Sequence, residues 1–288
     1  RHIRSFQAAI LLLIVCDLPA HSSCFPPIRR TGSTRMIELV HLSKSYGATL
    51  AVDDVNLSVP TGEIFGCLGP NGAGKTTTIR MMMGLLQPTS GTVRLGGHDL
   101  ANNPIAAKQL CGFVPDRPHI YEKLTGAEFL DFIAGLYHVQ PTVVVERRDE
   151  LLEMFDLSEW ATELVESYSH GMKQRLVMAA SLIHAPRILI VDEPMVGLDP
   201  RGARLLKRTL KQLARDGVTV FMSTHSLEVA AETCDRIGII NQGRLIALGT
   251  MDELRRQAGQ HSSSNLEAIF LKLTGGEDVA ELLTALRA

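Results

Sequence analysis

The segment Gly69-Pro70-Asn71-Gly72-Ala73-Gly74-Lys75-Thr76 fits the pattern GxxxxGK[ST] and continues into Thr77. Glycines in such a loop let successive backbone N–H groups turn inward. A helix starting at its end adds a dipole that favours negative charge, so the loop is a nest for phosphate. Lys75 can reach β- and γ-phosphates, and the Thr76 hydroxyl suits Mg²⁺. A chance match in a chain of this length is on the order of one in a hundred. The setting lowers that further: an apolar run at 64–68 precedes the loop and a helical run at 77–86 follows it. A glycine-rich turn without a ligand is the bland alternative.

Metal-assisted chemistry on a phosphate also needs carboxylates. The run Arg187-Ile188-Leu189-Ile190-Val191-Asp192-Glu193 supplies two. Asp192 emerges at the carboxyl end of an apolar strand, where ligands collect in open α/β sheets, and suits the metal's second shell. Glu193 points another way and is free to polarise a water attacking the γ-phosphate. Two acids capping a strand end would be plausible alone, but it is a weak reading beside the phosphate loop.

The elements that must position these residues alternate short β-type runs with helical ones, the pattern of an α/β fold with a largely parallel sheet. The runs at 64–68, 188–191, 218–223 and 237–240 are each long enough for one buried strand. Between 122 and 183 the character changes. Phe129, Ile133 and Leu136, then Leu151, Leu152 and Phe155, repeat at helical spacing, and no convincing strand intervenes. This reads as a helical subdomain inserted into the α/β core. No internal repeat or low-complexity linker is present.

Composition narrows the function classes. Of 288 residues, 45% are hydrophobic, which with a net charge of −2 excludes a disordered chain. With 29 Lys and Arg against 31 Asp and Glu, no pervasive positive field exists to reward nucleic acid. Five cysteines form no CxxC pair, so buried or inert thiols are expected rather than zinc or disulfides. The longest apolar run, residues 8–16, would span only about 14 Å as a helix against a bilayer core of about 30 Å.

A further segment narrows the field. Tyr168-Ser169-His170-Gly171-Met172-Lys173-Gln174-Arg175 resembles the LSGGQxQR signature of ATP-binding cassette (ABC) transporter ATPases. It keeps Ser, the second Gly, Gln and Arg, and departs at Tyr168, His170 and Met172. Ser169 and the Gly171 N–H would open a helix whose apolar face is Met172, Leu176, Ala179 and Ile183, a second anion-seeking terminus. The resemblance, which runs from Met36 to about Gly249, implies that this terminus serves the γ-phosphate held by an opposite subunit. ATP would then be sandwiched in a head-to-tail dimer. It also implies a P-loop NTPase core with a parallel sheet, an N-terminal antiparallel β subdomain and an inserted helical subdomain at about 117–184, all within 36–250.

Other residues take their roles from the same resemblance. Gly197-Leu198-Asp199-Pro200 is similar to the loop that communicates across the dimer, with Asp199 counted among the nucleotide-binding residues. His225 matches the switch histidine at the γ-phosphate, and Tyr46 the aromatic that stacks on adenine. Taken singly, His225 reads as a strand-end histidine and Tyr46 as a packing residue. The implied catalytic set is Glu193, His225 and Lys75. The implied metal set is Thr76, Asp192 and Asp116, with ATP and Mg²⁺ as cofactors. Asp116 stands after the strand 112–114, where the family usually has Gln. Asp still ligates Mg²⁺ but adds negative charge near three phosphates, and a turn aspartate is the alternative.

The termini read differently from the body. Residues 1–35 hold five arginines and one acid, Asp17, before Met36. They read as a leader or a spurious extension, with a transit or secretory peptide as alternatives. In the helical tail, 251–288, residues 266–275 resemble the end of ATPase subunits from bacterial drug, sodium and polysaccharide exporters. The expected function is therefore the ATPase subunit of an exporter, a homodimer or heterodimer on the cytoplasmic face of the membrane. It would power an integral-membrane permease on a separate chain and bind no nucleic acid. The rivals are a soluble ABC ATPase of translation or DNA repair and a regulator that binds nucleotide without turnover. Neither a second cassette, a heptad run nor a cysteine cluster supports the first, and Glu193 with His225 argues against the second.

Overall fold

A computed structural model describes residues 35–117, 120–257 and Phe270. They fall into two compact units. One is formed by 35–116, 187–196 and the described residues from 206 onward. The other is formed by 117–186 and 197–205.

The larger unit holds two sheets. Strands β1 (Arg35–Tyr46) and β2 (Thr49–Pro60) pair antiparallel, and β4 (Ser90–Leu95) and β5 (His98–Asp99) extend the sheet in the order β2-β1-β4-β5. The second sheet has the order β10-β9-β3-β8-β7-β6, where β3 is Ile64–Leu68, β6 Cys111–Val114, β7 Ile188–Asp192, β8 Thr219–Thr224, β9 Arg236–Asn241 and β10 Arg244–Gly249. All neighbours in it are parallel except β10 and β9. Strands β3, β7 and β8 are buried along their whole length, which is why they read as continuous apolar runs rather than alternating ones. The fold is α/β, with an antiparallel sheet preceding a mainly parallel one, as the sequence led one to expect.

Helix α1 (Lys75–Met82) starts two residues before the expected run and stops earlier, burying Ile79, Met81 and Met82. Those three join Met36, Ile37, Leu39, Phe65 and Ile190 in one apolar core under the phosphate loop. Helix α2 (Pro104–Gln109) leads into β6. A smaller cluster gathers Leu68, Ile237, Ile239, Leu254 and Phe270. Apart from Phe270, the tail segment 266–275 lies outside the described residues, as do residues 1–34 of the leader.

The smaller unit is helical: α3 (Gly126–Leu136), α4 (Pro141–Met154) and α5 (His170–Leu182), with short 3-10 turns at Ser158–Trp160 and Val165–Ser167. Thr125 and Glu128 form a reciprocal capping box at the start of α3, satisfying two otherwise orphaned N–H groups. Pro141 opens α4, where its missing N–H costs nothing. Phe155, expected in the helical repeat, lies one residue past α4 and is fully buried. Helix α6 (Pro200–Arg215) begins in this unit, and its later turns belong to the larger one.

Candidate functional site

The phosphate loop is pinned at both ends before any ligand is considered. The Gly69 N–H donates to the Thr224 carbonyl at 3.3 Å, and the Gly243 N–H donates to the Ala73 carbonyl at 2.9 Å. Gly74 caps α1 with φ 107, and a Cβ there would stand 2.6 Å from the backbone oxygen of Ala51. Only glycine meets both demands, since the side chain would collide with main chain that cannot swing away. The first turn of α1 therefore begins with Lys75 inside the loop. Its ammonium, nearly buried, donates to the carbonyls of Gly69 at 2.7 Å and Pro70 at 3.0 Å.

Glu193 faces that ammonium. Its Oε1 lies 3.5 Å from Lys75 Nζ, is buried, and makes no hydrogen bond. Its Oε2 is held by His225, with Nδ1 at 2.9 Å and the backbone N–H at 3.4 Å. Glu193 has φ 50, a left-handed backbone that costs an L residue about 1–2 kcal/mol. It directly follows β7, so Asp192 ends the strand while Glu193 turns off it. Strain of this kind gathers at functional sites.

Asp192 is buried, with Oδ1 accepting the Ser223 hydroxyl at 2.5 Å. Burial raises its pKa, and the charges of Glu193 and Asp116 add to that rise. Hydrogen bonds from Ser223 and Thr76 oppose it. Neither the role of Ser223 nor the turned backbone of Glu193 was visible in the sequence. Only the register that sets Ser223 opposite Asp192 reveals the first.

A cavity of about 350 Å³ opens here, walled by Asn71, Gly72, Gly74, Lys75, Thr76 and Thr77 of the loop. Asp116, Glu193, Val196, His225 and Ala51 join the wall, so residues from five separate stretches of sequence meet at one place. Ala51, rather than Tyr46, lines it from the β1–β2 hairpin. Tyr46 is half-exposed at the end of β1, with the Lys44 ammonium 5.4 Å over its ring. The residues fit a nucleotide phosphate: a nest of N–H groups, one buried cation and one carboxylate oxygen without a hydrogen bond. They also fit Mg²⁺, through the Thr76 hydroxyl and the carboxylates of Asp192 and Asp116. Among the described residues no three His, Cys, Asp or Glu side chains converge to hold a metal alone. Phosphate oxygens and water must complete its shell, which is how Mg²⁺ is usually held in phosphate-transfer sites. Cys67, two residues before the loop, is buried, and its thiol is pushed up to about 12 by that burial, leaving it inert.

Ser169, Gly171 and Asp199 belong to the smaller unit. Ser169 is the N-cap of α5, its hydroxyl accepting the Met172 N–H at 3.3 Å. Asp199 uses Oδ1 to accept the Gly202 N–H at 2.8 Å at the start of α6. Both side chains are otherwise exposed. The departures from the signature have local reasons. Tyr168 is buried, and its hydroxyl donates to the Trp160 carbonyl. The His170 ring lies against Gly197, where a Cβ would come within 2.5 Å of it. Met172 packs inward.

Comparison with known proteins agrees with this geometry. The family model described as ABC transporter matches residues 52–196. The linearmycin resistance ATP-binding protein LnrL of Bacillus subtilis (strain 168) is 41% identical over 224 residues, 78% of this chain and 72% of that one. The daunorubicin/doxorubicin resistance ATP-binding protein DrrA of Streptomyces peucetius is 40% identical over 80% of this chain and 70% of its own. A solved structure described as an ATP-binding subunit of an ABC transporter superposes with a TM-score of 0.78 at 33% identity, covering 83% of this chain and 99% of that one. The chain belongs to the ABC transporter family, and it is one of that family's ATP-binding proteins, an ATPase.

Proposed function

We propose that the chain is the ATP-hydrolysing subunit of a membrane exporter, working in head-to-tail pairs on a permease carried by a separate chain. The observation that carries this reading is the Lys75–Glu193–His225 arrangement. It sets a buried carboxylate oxygen without a hydrogen bond beside the phosphate cavity and fastens the other oxygen to a histidine. The names of LnrL and DrrA, both resistance proteins, support export of antibiotic-like cargo.

On this reading Lys75 exchanges the carbonyls of Gly69 and Pro70 for β- and γ-phosphate oxygens, keeping a charge-assisted bond in both states. Glu193 Oε1 accepts the proton of the attacking water while His225 holds Oε2 and so fixes the direction of the free oxygen. Thr76, Asp192 and Asp116 would hold Mg²⁺, which supplies neutralisation of phosphate charge when bound. Tyr46 is assigned to adenine. Ser169, Gly171 and Asp199 are assigned to the γ-phosphate of the opposite subunit, a role suited by their places at helix starts and by the exposure of Ser169 and Asp199. No helix among the described residues is long and apolar enough to cross a membrane. The chain is assigned a peripheral position on the cytoplasmic face, held there by the permease. The cassette is assigned to 36–250, with 117–184 as its helical subdomain.

Glu193→Gln tests the reading. ATP binding should persist while hydrolysis falls about a hundredfold or more, the scale of a lost positioned base. An ATP-trapped dimer should accumulate in size-exclusion chromatography. Near-native steady-state turnover in this variant would remove Glu193 from the role given to it.

A further inference from the structure

We propose that Ser223 is a positioning residue of the hydrolytic site, its buried hydroxyl tying the Asp192 carboxylate to the Glu193 backbone and so setting where both acids point. The proposal rests on the roles given above to Asp192 and Glu193. Ser223 lies on β8 directly opposite Asp192 on β7, and it is fully buried. Its Oγ is 2.5 Å from Asp192 Oδ1 and 3.0 Å from the Glu193 nitrogen. A hydroxyl carries one proton and two lone pairs. The ionised carboxylate only accepts and the N–H only donates, so the directions are forced: Ser223 donates to Asp192 and accepts from Glu193.

Each of these bonds does something distinct. The bond to Asp192 holds that carboxylate from the neighbouring strand. The bond from Glu193 satisfies its N–H at the residue whose φ is 50. A left-handed backbone on a non-glycine residue persists only when its surroundings over-determine it. The neighbouring hydroxyl does not substitute for Ser223, because Thr224 Oγ1 accepts the Ser226 N–H at 3.0 Å. Among the described residues, Ser223 is therefore the single side chain bonded to both the metal-side acid and the base-side backbone. It touches neither substrate nor metal, and it acts through those that do.

The test compares Ser223→Thr with Ser223→Val, which have the same shape and differ by the hydroxyl. ATPase rate is titrated against Mg²⁺ for each variant. Metal-free binding of a fluorescent ATP analogue in EDTA is measured alongside as a check on the phosphate loop. The Thr variant should keep the native Mg²⁺ curve and kcat. The Val variant should need more Mg²⁺ for half-maximal rate and lose kcat, each on the order of 10- to 100-fold, with analogue binding unchanged. Identical kinetics in the two variants, native or impaired, would overturn the proposal. Should the added methyl groups unfold both chains, Ser223→Ala carries the comparison: loss of Mg²⁺ affinity and kcat with intact analogue binding upholds it, and a native Mg²⁺ curve with native kcat overturns it. Glu193→Gln run in parallel separates the two levels. If that variant turns over at the native rate, the reading of Glu193 fails. If it is inactive while Val matches Thr, only the role of Ser223 fails.

Discussion

The two units hold their functional residues in opposite ways. In the larger one Lys75, Asp192 and Ser223 are almost wholly buried, and each is tied to a residue from another element of the same unit. In the smaller one Ser169 and Asp199 are exposed, and each has a single local task as a cap at a helix start. Burial with multiple partners pre-organises a site that binds within its own unit. Exposure with local caps leaves donors at the start of a helix free for a ligand brought from outside. The contrast predicts that substitutions in the larger unit damage the site they belong to, and that substitutions in the smaller unit damage a site belonging to another copy.

The largest effect should come from Lys75→Ala. It removes the buried cation from the phosphate nest, and turnover should fall on the order of a hundredfold or more in a steady-state ATPase assay. A rate within a few-fold of native would mean that the loop's N–H groups suffice and that the buried unit is less specialised than its geometry implies.

A smaller loss is expected from Ser169→Ala. Removing an N-cap hydroxyl is worth about 1 kcal/mol, or roughly a five- to tenfold change. In mixed dimers carrying Ser169→Ala and Lys75→Ala, turnover should be lower when both substitutions sit on the same subunit, which damages both sites, than when they sit on opposite subunits, which leaves one site intact. The reverse order would break the comparison at its root, because the smaller unit would then serve its own chain.

Glycine substitution offers the finest discrimination. Gly74 and Gly197 both have positive φ, so alanine at either costs about 1–2 kcal/mol of backbone strain. At Gly74 the new Cβ meets the Ala51 backbone at 2.6 Å, adding about 1–3 kcal/mol of overpacking. At Gly197 it meets the exposed His170 ring, which can swing aside. Denaturant unfolding should rank Gly74→Ala as the more destabilising of the pair. The reverse order would show that the His170–Gly197 contact is tighter than a surface contact.

The phosphate loop and the acidic strand were legible in the sequence because their chemistry is local: a glycine spacing, a lysine and a run ending in two acids are read along one stretch of chain. Strands β3, β7 and β8 were legible for the related reason that complete burial leaves a continuous apolar run. The helical unit was legible from apolar spacing at Phe129, Ile133 and Leu136, although the boundaries shifted, as at α1. The departures Tyr168 and His170 were not interpretable until their partners, the Trp160 carbonyl and Gly197, were placed beside them.

By itself, then, the sequence determined which residues could bind phosphate and metal, the order of the elements and the family they belong to. Those properties depend on residue type and on spacing along the chain. Tertiary structure alone decided that Ser223 stands opposite Asp192, that Glu193 turns into a left-handed backbone toward Lys75 and His225, and that Ala51 rather than Tyr46 walls the cavity. These depend on strand register and on close approach between segments up to more than a hundred residues apart. No local pattern encodes such meetings, because they exist only once the sheet has closed around its core.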